Sequence, residues 1–335
     1  MEYRKLIKLG KETFSVTLPK QWVVNHRLSK GDNISIEEEG DGSLRIHPKE
    51  DDHTSEIKEI TIDVSRMTLK EIKRQILVAY VNDFSIINLK GDFGNRAKEL
   101  RNVFHEFLAL EVLDIKTDLI AAKAFIDISE TNPMKIIRRI DTIIKTMFTE
   151  IEQCLNHKGS REPVSDADAE VDRLYHFTMK LITRGLQNAN MARHWGYSPT
   201  DLALLMLLSD RLEKISDRGK HIASFFSSVK FSGKERELLT SKLGELEKNY
   251  RNAITSFYKN DTTMANAVIN SIREEDKSIL NNRRFPCLFG EDDNCKCAIP
   301  VVFEFLARIF TITEDIARIV LILNPKDIPK GTLSD

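Results

Sequence analysis

Apolar residues recur at spacings of three and four through the second half of the chain. Ile136, Ile137, Ile140, Ile143, Ile144, Met147, Ile151 and Leu155 fall on one face of a helix that Pro133 opens. Residues 159–163 end it, and a second helix is predicted over 166–193. After a turn at 196–199, Thr200 caps a third helix over 201–226. Its face is Leu204, Leu205, Leu208, Leu212, Ile215, Ile222 and Phe226. Three more helices are predicted at about 233–258, 262–283 and 299–323. Six long helices with short connections imply antiparallel bundles.

The first 130 residues follow a different rhythm. Segments 3–9 and 13–18 read as strands around a turn at Gly10-Lys11, and Pro19 opens a short helix over 20–27. Gly31-Asp32 turns the chain into 33–38, and Gly40-Asp41-Gly42 makes a hairpin into 44–47. Fifty residues bury too little core to stand alone, so this unit is expected to pair with a second copy. A charged linker, 50–56, leads into strand 57–64, helix 68–81, strand 84–89, a helix over 96–108 capped by Asn95, and strands 111–117 and 121–129. That order is a small α/β unit of the βαβ kind. The expected architecture is therefore multidomain. It has a small β-rich head at 1–50, an α/β unit at 57–130 and an all-α tail at 132–325.

Composition narrows the function classes. Lys and Arg total 50 against 51 Asp and Glu, so no whole-protein field favours nucleic acid or anionic membrane. No apolar run reaches the roughly 18 residues of a transmembrane segment, and the N-terminus has no signal-peptide core. Four cysteines do not make a disulfide framework, and a cytoplasmic protein is expected. Charge is nevertheless uneven. Residues 1–30 hold seven Lys/Arg and two acids, whereas residues 31–50 hold two Lys/Arg and six acids.

The basic segment carries Arg4-Lys5, the run Phe14-Ser15-Val16-Thr17-Leu18-Pro19-Lys20, Trp22, and Leu28-Ser29-Lys30-Gly31-Asp32. With these residues the head resembles the AbrB/SpoVT swapped-hairpin domain. The resemblance implies an interleaved homodimer that lays basic loops and strands on DNA. The residues it would use here are Arg4, Lys5, Lys8, Lys11, Thr13, Ser15 and Lys20. The alternative is a head that only dimerises, with its lysines a solvated face.

The helices also carry acidic rows. Asp168, Asp172 and His176 are spaced i, i+4, i+8 on the second helix, and Glu213, Asp217 and His221 repeat that spacing on the third, with Asp210 nearby. Carboxylates with imidazoles suit Zn, Fe, Mn or Ni, and carboxylates alone suit Mg or Ca. A bound cation would attract phosphate. The other reading is a charged face far from the apolar one, with Arg211, Lys214, Arg218 and Lys220 as ordinary i, i+4 partners.

The tail is internally repeated over 132–227 and 233–323. Glu170-Val-Asp172-Arg173 aligns with Glu274-Glu-Asp276-Lys277, and Arg211-Leu-x-x-Ile215-x-Asp217 with Arg308-Ile-x-x-Ile312-x-Glu314. Two tandem three-helix units with a D-R-L-E-x-I-x-D signature resemble PhoU, the phosphate-uptake regulator. Head, α/β unit and tail together resemble the archaeal PhoU-type regulators. The resemblance implies a non-enzymatic regulator of the phosphate ABC transporter, with metal ions at E/D-x-x-x-D motifs. Carried over, those motifs are Asp168-x-x-x-Asp172 and Glu213-x-x-x-Asp217. His176 and His221 come from the spacing alone. Phe310 stands where Glu213 would align and Arg318 lies four residues beyond Glu314, so one metal cluster is expected, not the family's two.

Other signals are weaker. Cys287, Cys295 and Cys297 read as free thiols or, with an aspartate such as Asp292 or Asp293, as a zinc site. Gly91-Asp92-Phe93-Gly94 reads as a strand-to-helix turn, since no phosphate-loop lysine or kinase signature accompanies it. A di-iron enzyme would use Glu-x-x-His pairs facing inward, which the i+4 rows do not match. No enzyme is expected. The competing reading is an adaptor of the phosphate transporter that never touches DNA.

Overall fold

A computed structural model of the chain describes residues 3–38, 42–48, 58–125, 131–282 and 293–324. It divides into two compact units, Met1–Ile57 and Lys58–Asp335.

In the first unit β1 (Ile7–Leu9) and β2 (Thr13–Ser15) pair antiparallel around Gly10, whose φ of 75° suits the tight turn. Helix α1 (Lys20–Asn25) follows Pro19, whose missing N–H costs nothing at a helix start. It ends two residues earlier than predicted because Arg27 turns left-handed at φ 53°. A second hairpin joins β3 (Ile34–Glu38) and β4 (Leu44–Pro48). Strands β1 and β2 are shorter than the predicted 3–9 and 13–18: their ladder runs from Ile7 opposite Ser15 to Leu9 opposite Thr13. No described residue of this unit is buried.

The second unit begins with a four-stranded sheet of order β5-β6-β8-β7. Strands β5 (Glu59–Asp63) and β6 (Ile86–Lys90) are parallel and joined through α2 (Leu69–Val81), the predicted βαβ crossover. Thr68 and Glu71 cap α2 reciprocally. Strands β7 (Leu110–Ile115) and β8 (Leu119–Ala124) then add antiparallel. The expected Asn95 cap does not form. A 3₁₀ turn over Gly94–Arg96 leads into α3 (Ala97–His105), and Arg96 donates to the Met67 carbonyl at 2.9 Å. The Gly91–Gly94 loop is a packed turn. Phe93 is buried, and a Cβ on Gly91 would sit 2.7 Å from Ser65 Oγ.

Helices α4 (Pro133–Leu155), α5 (Glu162–Gln187), α6 (Ala189–Trp195), α7 (Pro199–Ser228), α8 (Gly233–Lys259), α9 (Thr262–Asn282) and α10 (Asp293–Leu323) complete the unit. Four boundaries correct the sequence reading. Pro163 lies in the first turn of α5 and does not end the preceding loop, as its fixed φ favours. The predicted helix 166–193 breaks at Asn188, whose side chain accepts from Met191 N–H and so starts α6. Ser198, not Thr200, caps α7, in a box with Asp201. Helix α10 begins before residue 299 and carries Pro300 within it. Cys154 is a buried free thiol, raised in pKa by burial. The reading of Cys287, Cys295 and Cys297 rests on side chains outside the described residues.

Helices α4, α5 and α7 pack on one another, as do α8, α9 and α10, and the two groups join through α7–α10 and α4–α8. Among the described residues no helix is long and apolar enough to cross a membrane. The sheet layer meets the bundle where α2 packs on α5. There Lys180 is 1% exposed. It donates to the Tyr80 carbonyl at 3.2 Å and pairs with Asp83 at 3.0 Å, while Arg184 takes the other Asp83 oxygen at 3.0 Å. Burial lowers the Lys180 pKa, and Asp83 opposes that. Removing one partner of such a pair strands a desolvated charge, so Lys180→Ala should cost about 3–5 kcal/mol. Urea unfolding checks this, and Arg184→Ala, at a more exposed position, should cost clearly less.

Candidate functional site

The acidic rows meet at the seam between α5 and α7. Asp168 is the most deeply placed, at 2% exposure. One of its oxygens accepts from Ser216 Oγ at 2.9 Å and the other from Lys220 Nζ at 2.5 Å, so it ties α5 to α7. One turn on, Asp172 is half-buried and its carboxyl is pushed up to about 6, first by burial and then by Asp168. Lys220 and Lys73 of α2 partly offset this. Across the seam Glu213 is pushed up to about 7 by burial, Asp172, Asp217 and Asp210, against the pull of Lys214. Tyr175 beside them is held at about 12 by burial and by Asp210, Glu213 and Asp172. The charges of Asp172 and Asp217 thus both act on Glu213, and that of Asp217 acts on Asp172.

The remaining candidates divide. Asp210 accepts from Arg211 at 2.6 Å and Lys214 at 2.8 Å, and Arg211 reaches on to Asp315 of α10 at 3.0 Å. Asp217 accepts from Arg218 at 2.6 Å. His176 turns away from the carboxylates, whereas His221 stays beside Asp217. His176 packs against Phe107, 5.7 Å between centroids, and burial depresses its pKa to about 4. Its Nδ1 is buried without a hydrogen-bond partner. His221 stacks on Phe305 of α10 at 5.3 Å and 14°, its Nε2 3.6 Å from Asp217. Among the described residues no three His, Cys, Asp or Glu side chains are arranged as a metal-ligand set.

The rows are not the open face that a helical wheel draws. Helix α7 is flanked by α4, α5 and α10, so its second side is also covered. Lys73, which neighbours Asp172, pairs with Glu106 of the sheet layer. Neither Lys73 nor Tyr175 was evident from the helical spacing, because both reach the seam through tertiary packing.

The second repeat is built differently at the matching place. Phe310 is fully buried. Glu314 is held by Arg318 at 2.7 Å and Arg273 at 3.6 Å, so guanidinium groups already neutralise it. The side chain of Asp276 lies outside the described residues.

In the head, register places Lys8 opposite Phe14 on one side of the hairpin, and Thr13 and Ser15 opposite Leu9 and Ile7 on the other. Arg4 and Lys5 precede β1, Lys11 lies in the turn and Lys20 begins α1. One protomer therefore does not gather these seven residues on a single surface.

Residues 7–52 match the family model described as antidote-toxin recognition MazE, bacterial antitoxin. That match supports an AbrB-like head. Comparison of the chain with curated proteins and with solved structures finds no match.

The seam has a pH signature. Asp172 and Glu213 bind protons more tightly in the folded chain than in an unfolded one, where carboxyls titrate near 4. Stability contributed by their protonated forms is complete below about pH 4 and is lost as pH rises through about 7. Glu213→Gln should therefore melt above wild type at pH 8 and level with it near pH 4, read by circular dichroism.

Proposed function

We propose that the chain is a homodimeric DNA-binding regulator, with a helical body that responds to a divalent cation and phosphate. The observation that carries the reading is the head's unburied apolar set. Tyr3, Leu6, Ile7, Leu9, Phe14, Val16, Val24, Ile36 and Leu44 are all exposed, and all but Tyr3 and Leu6 lie within residues 7–52, which match an antitoxin family model. Leaving so many large apolar side chains in water is costly at about 25 cal/mol per Å². A second copy of the same head covers them most simply. Dimerisation also doubles the basic residues Arg4, Lys5, Lys8, Lys11 and Lys20, and brings together surfaces that one protomer keeps apart. Thr13 and Ser15 add hydroxyl donors for phosphate oxygens.

The phosphate arm rests on the tail's resemblance to PhoU and on its internal repeat. Asp172, Glu213 and Asp217 are the residues that would hold a cation, which would relieve their mutual repulsion. With His176 turned aside the donors are carboxylate oxygens, with the His221 imidazole beside Asp217, a set that suits Mn²⁺. A second reading, recognition of a protein toxin, follows from the printed name of the matched family. An adaptor of a phosphate transporter is a third.

The test is binding of the full-length protein to its own upstream DNA at low and moderate salt, with and without phosphate and Mn²⁺. Saturable, sequence-selective binding by a dimer, weakening steeply with salt, is expected. Absence of binding under every condition would reject DNA recognition and leave the protein-partner readings. Separately, protein exposed to Mn²⁺ and washed should retain metal. Asp172→Asn and Glu213→Gln should each lose it, and Glu314→Gln should not.

A further inference from the structure

A pocket of about 190 Å³ lies where the starts of α4 and α7 meet the ends of α8 and α10. Its floor is Met134, Leu204, Leu205, Phe257 and Leu323. Its rim is polar, and each rim group but one is already committed. The Tyr197 hydroxyl bonds the Asn132 side chain at 3.2 Å. The Tyr258 hydroxyl donates to Asp141 at 3.2 Å, and Asp141 also accepts from Tyr250 at 2.9 Å and Lys145 at 2.7 Å. Asp201 receives the Ser198 N–H and hydroxyl in the α7 capping box.

Arg138 is the exception. Its guanidinium lies 4.0 Å from the Tyr258 ring centroid, which fixes the plane and desolvates one face. Among the described residues no carboxylate stands within 4.0 Å of it, although most arginines on neighbouring helices are paired. Arg138 lines the pocket and is exposed, so its N–H groups are open to a ligand at an apolar cavity. A planar fork of donors matches a carboxylate. The Asp201 charge on the same rim disfavours a dianion such as phosphate. The volume is below the roughly 300–1,000 Å³ of drug-sized sites, so the ligand has about ten heavy atoms or fewer.

We propose that this pocket binds a small monocarboxylate with an apolar body, its carboxylate on Arg138 and its body on the Met134–Leu204–Phe257 floor. The site is separate from the α5–α7 seam and does not depend on the reading of the head. It gives the bundle a second input, an organic acid.

Hexanoate and 3-phenylpropionate are the probes, titrated into the full-length protein by calorimetry and by NMR of methionine methyl groups. The Met134 signal is assigned from Met134→Leu. The expected result is saturable binding that moves the Met134 methyl. Arg138→Gln, a change at a solvent-exposed position, should weaken binding about tenfold or more without changing the melting temperature. Hexanamide, the neutral isostere, should bind at least tenfold more weakly than hexanoate. Equal binding of hexanamide, unchanged affinity in Arg138→Gln, inorganic phosphate competing as well as hexanoate, or a still Met134 signal would each overturn the assignment.

Discussion

Packing of α7 against α4, α5 and α10 leaves its row of carboxylates only partly open to water, and this constraint shapes the second unit. Asp210, Glu213 and Asp217 are each neutralised, protonated or set against another acid. Asp210 and Asp217 take neighbouring arginines. Asp168, reaching across from α5, takes Lys220 and Ser216. Asp172 and Glu213 are left without enough cation, and they hold their protons well above the ordinary carboxyl range. The seam stores unfavourable electrostatics at one place, and the surrounding apolar core sustains it. Such a place is where an added positive charge has the most effect.

Helices α8, α9 and α10 pack on one another as α4, α5 and α7 do, without a comparable set of carboxylates among the described residues at the aligned positions. Phe310 occupies the core where the first repeat has Glu213, and Arg318 and Arg273 flank Glu314. The two three-helix groups therefore differ in charge at the positions that the sequence aligns: guanidinium groups flank Glu314, whereas Glu213 faces other carboxylates.

Much of the helical fold was legible because its faces are long and periodic. The stripes on α4 and α7 are the buried stripes of the structure, from Ile137 to Leu155 and from Leu204 to Phe226. Boundaries were less legible where one residue type serves two ends. Pro163 fits a loop or a first turn, and Asn188 fits a helix interior or a cap. The head strands were over-extended because alternation marks which residues want a partner and not whether one chain provides it. At the site, spacing put Asp172 and Glu213 on facing rows, and the structure shows the charge of one acting on the other. It could not show that His176 turns to Phe107, or that His221, still 3.6 Å from Asp217, stacks on Phe305, because both rings are more than 65 residues away.

Helix α5 carries Asp168, Asp172, His176, Lys180 and Arg184 in one row, each four residues after the last. Only Arg184 of this row stands in an end turn of the helix, the last, where a cation suits the helix dipole. The row joins two separate jobs, the carboxylate seam at one end and the lock on Asp83 at the other, about 12 Å apart along the axis from Asp172 to Lys180. Inserting or deleting a single residue between them would turn one end by about 100° relative to the other. The two ends are therefore held in phase. A change of length in the loops around this helix leaves that phase intact, whereas a change within this eight-residue interval destroys it.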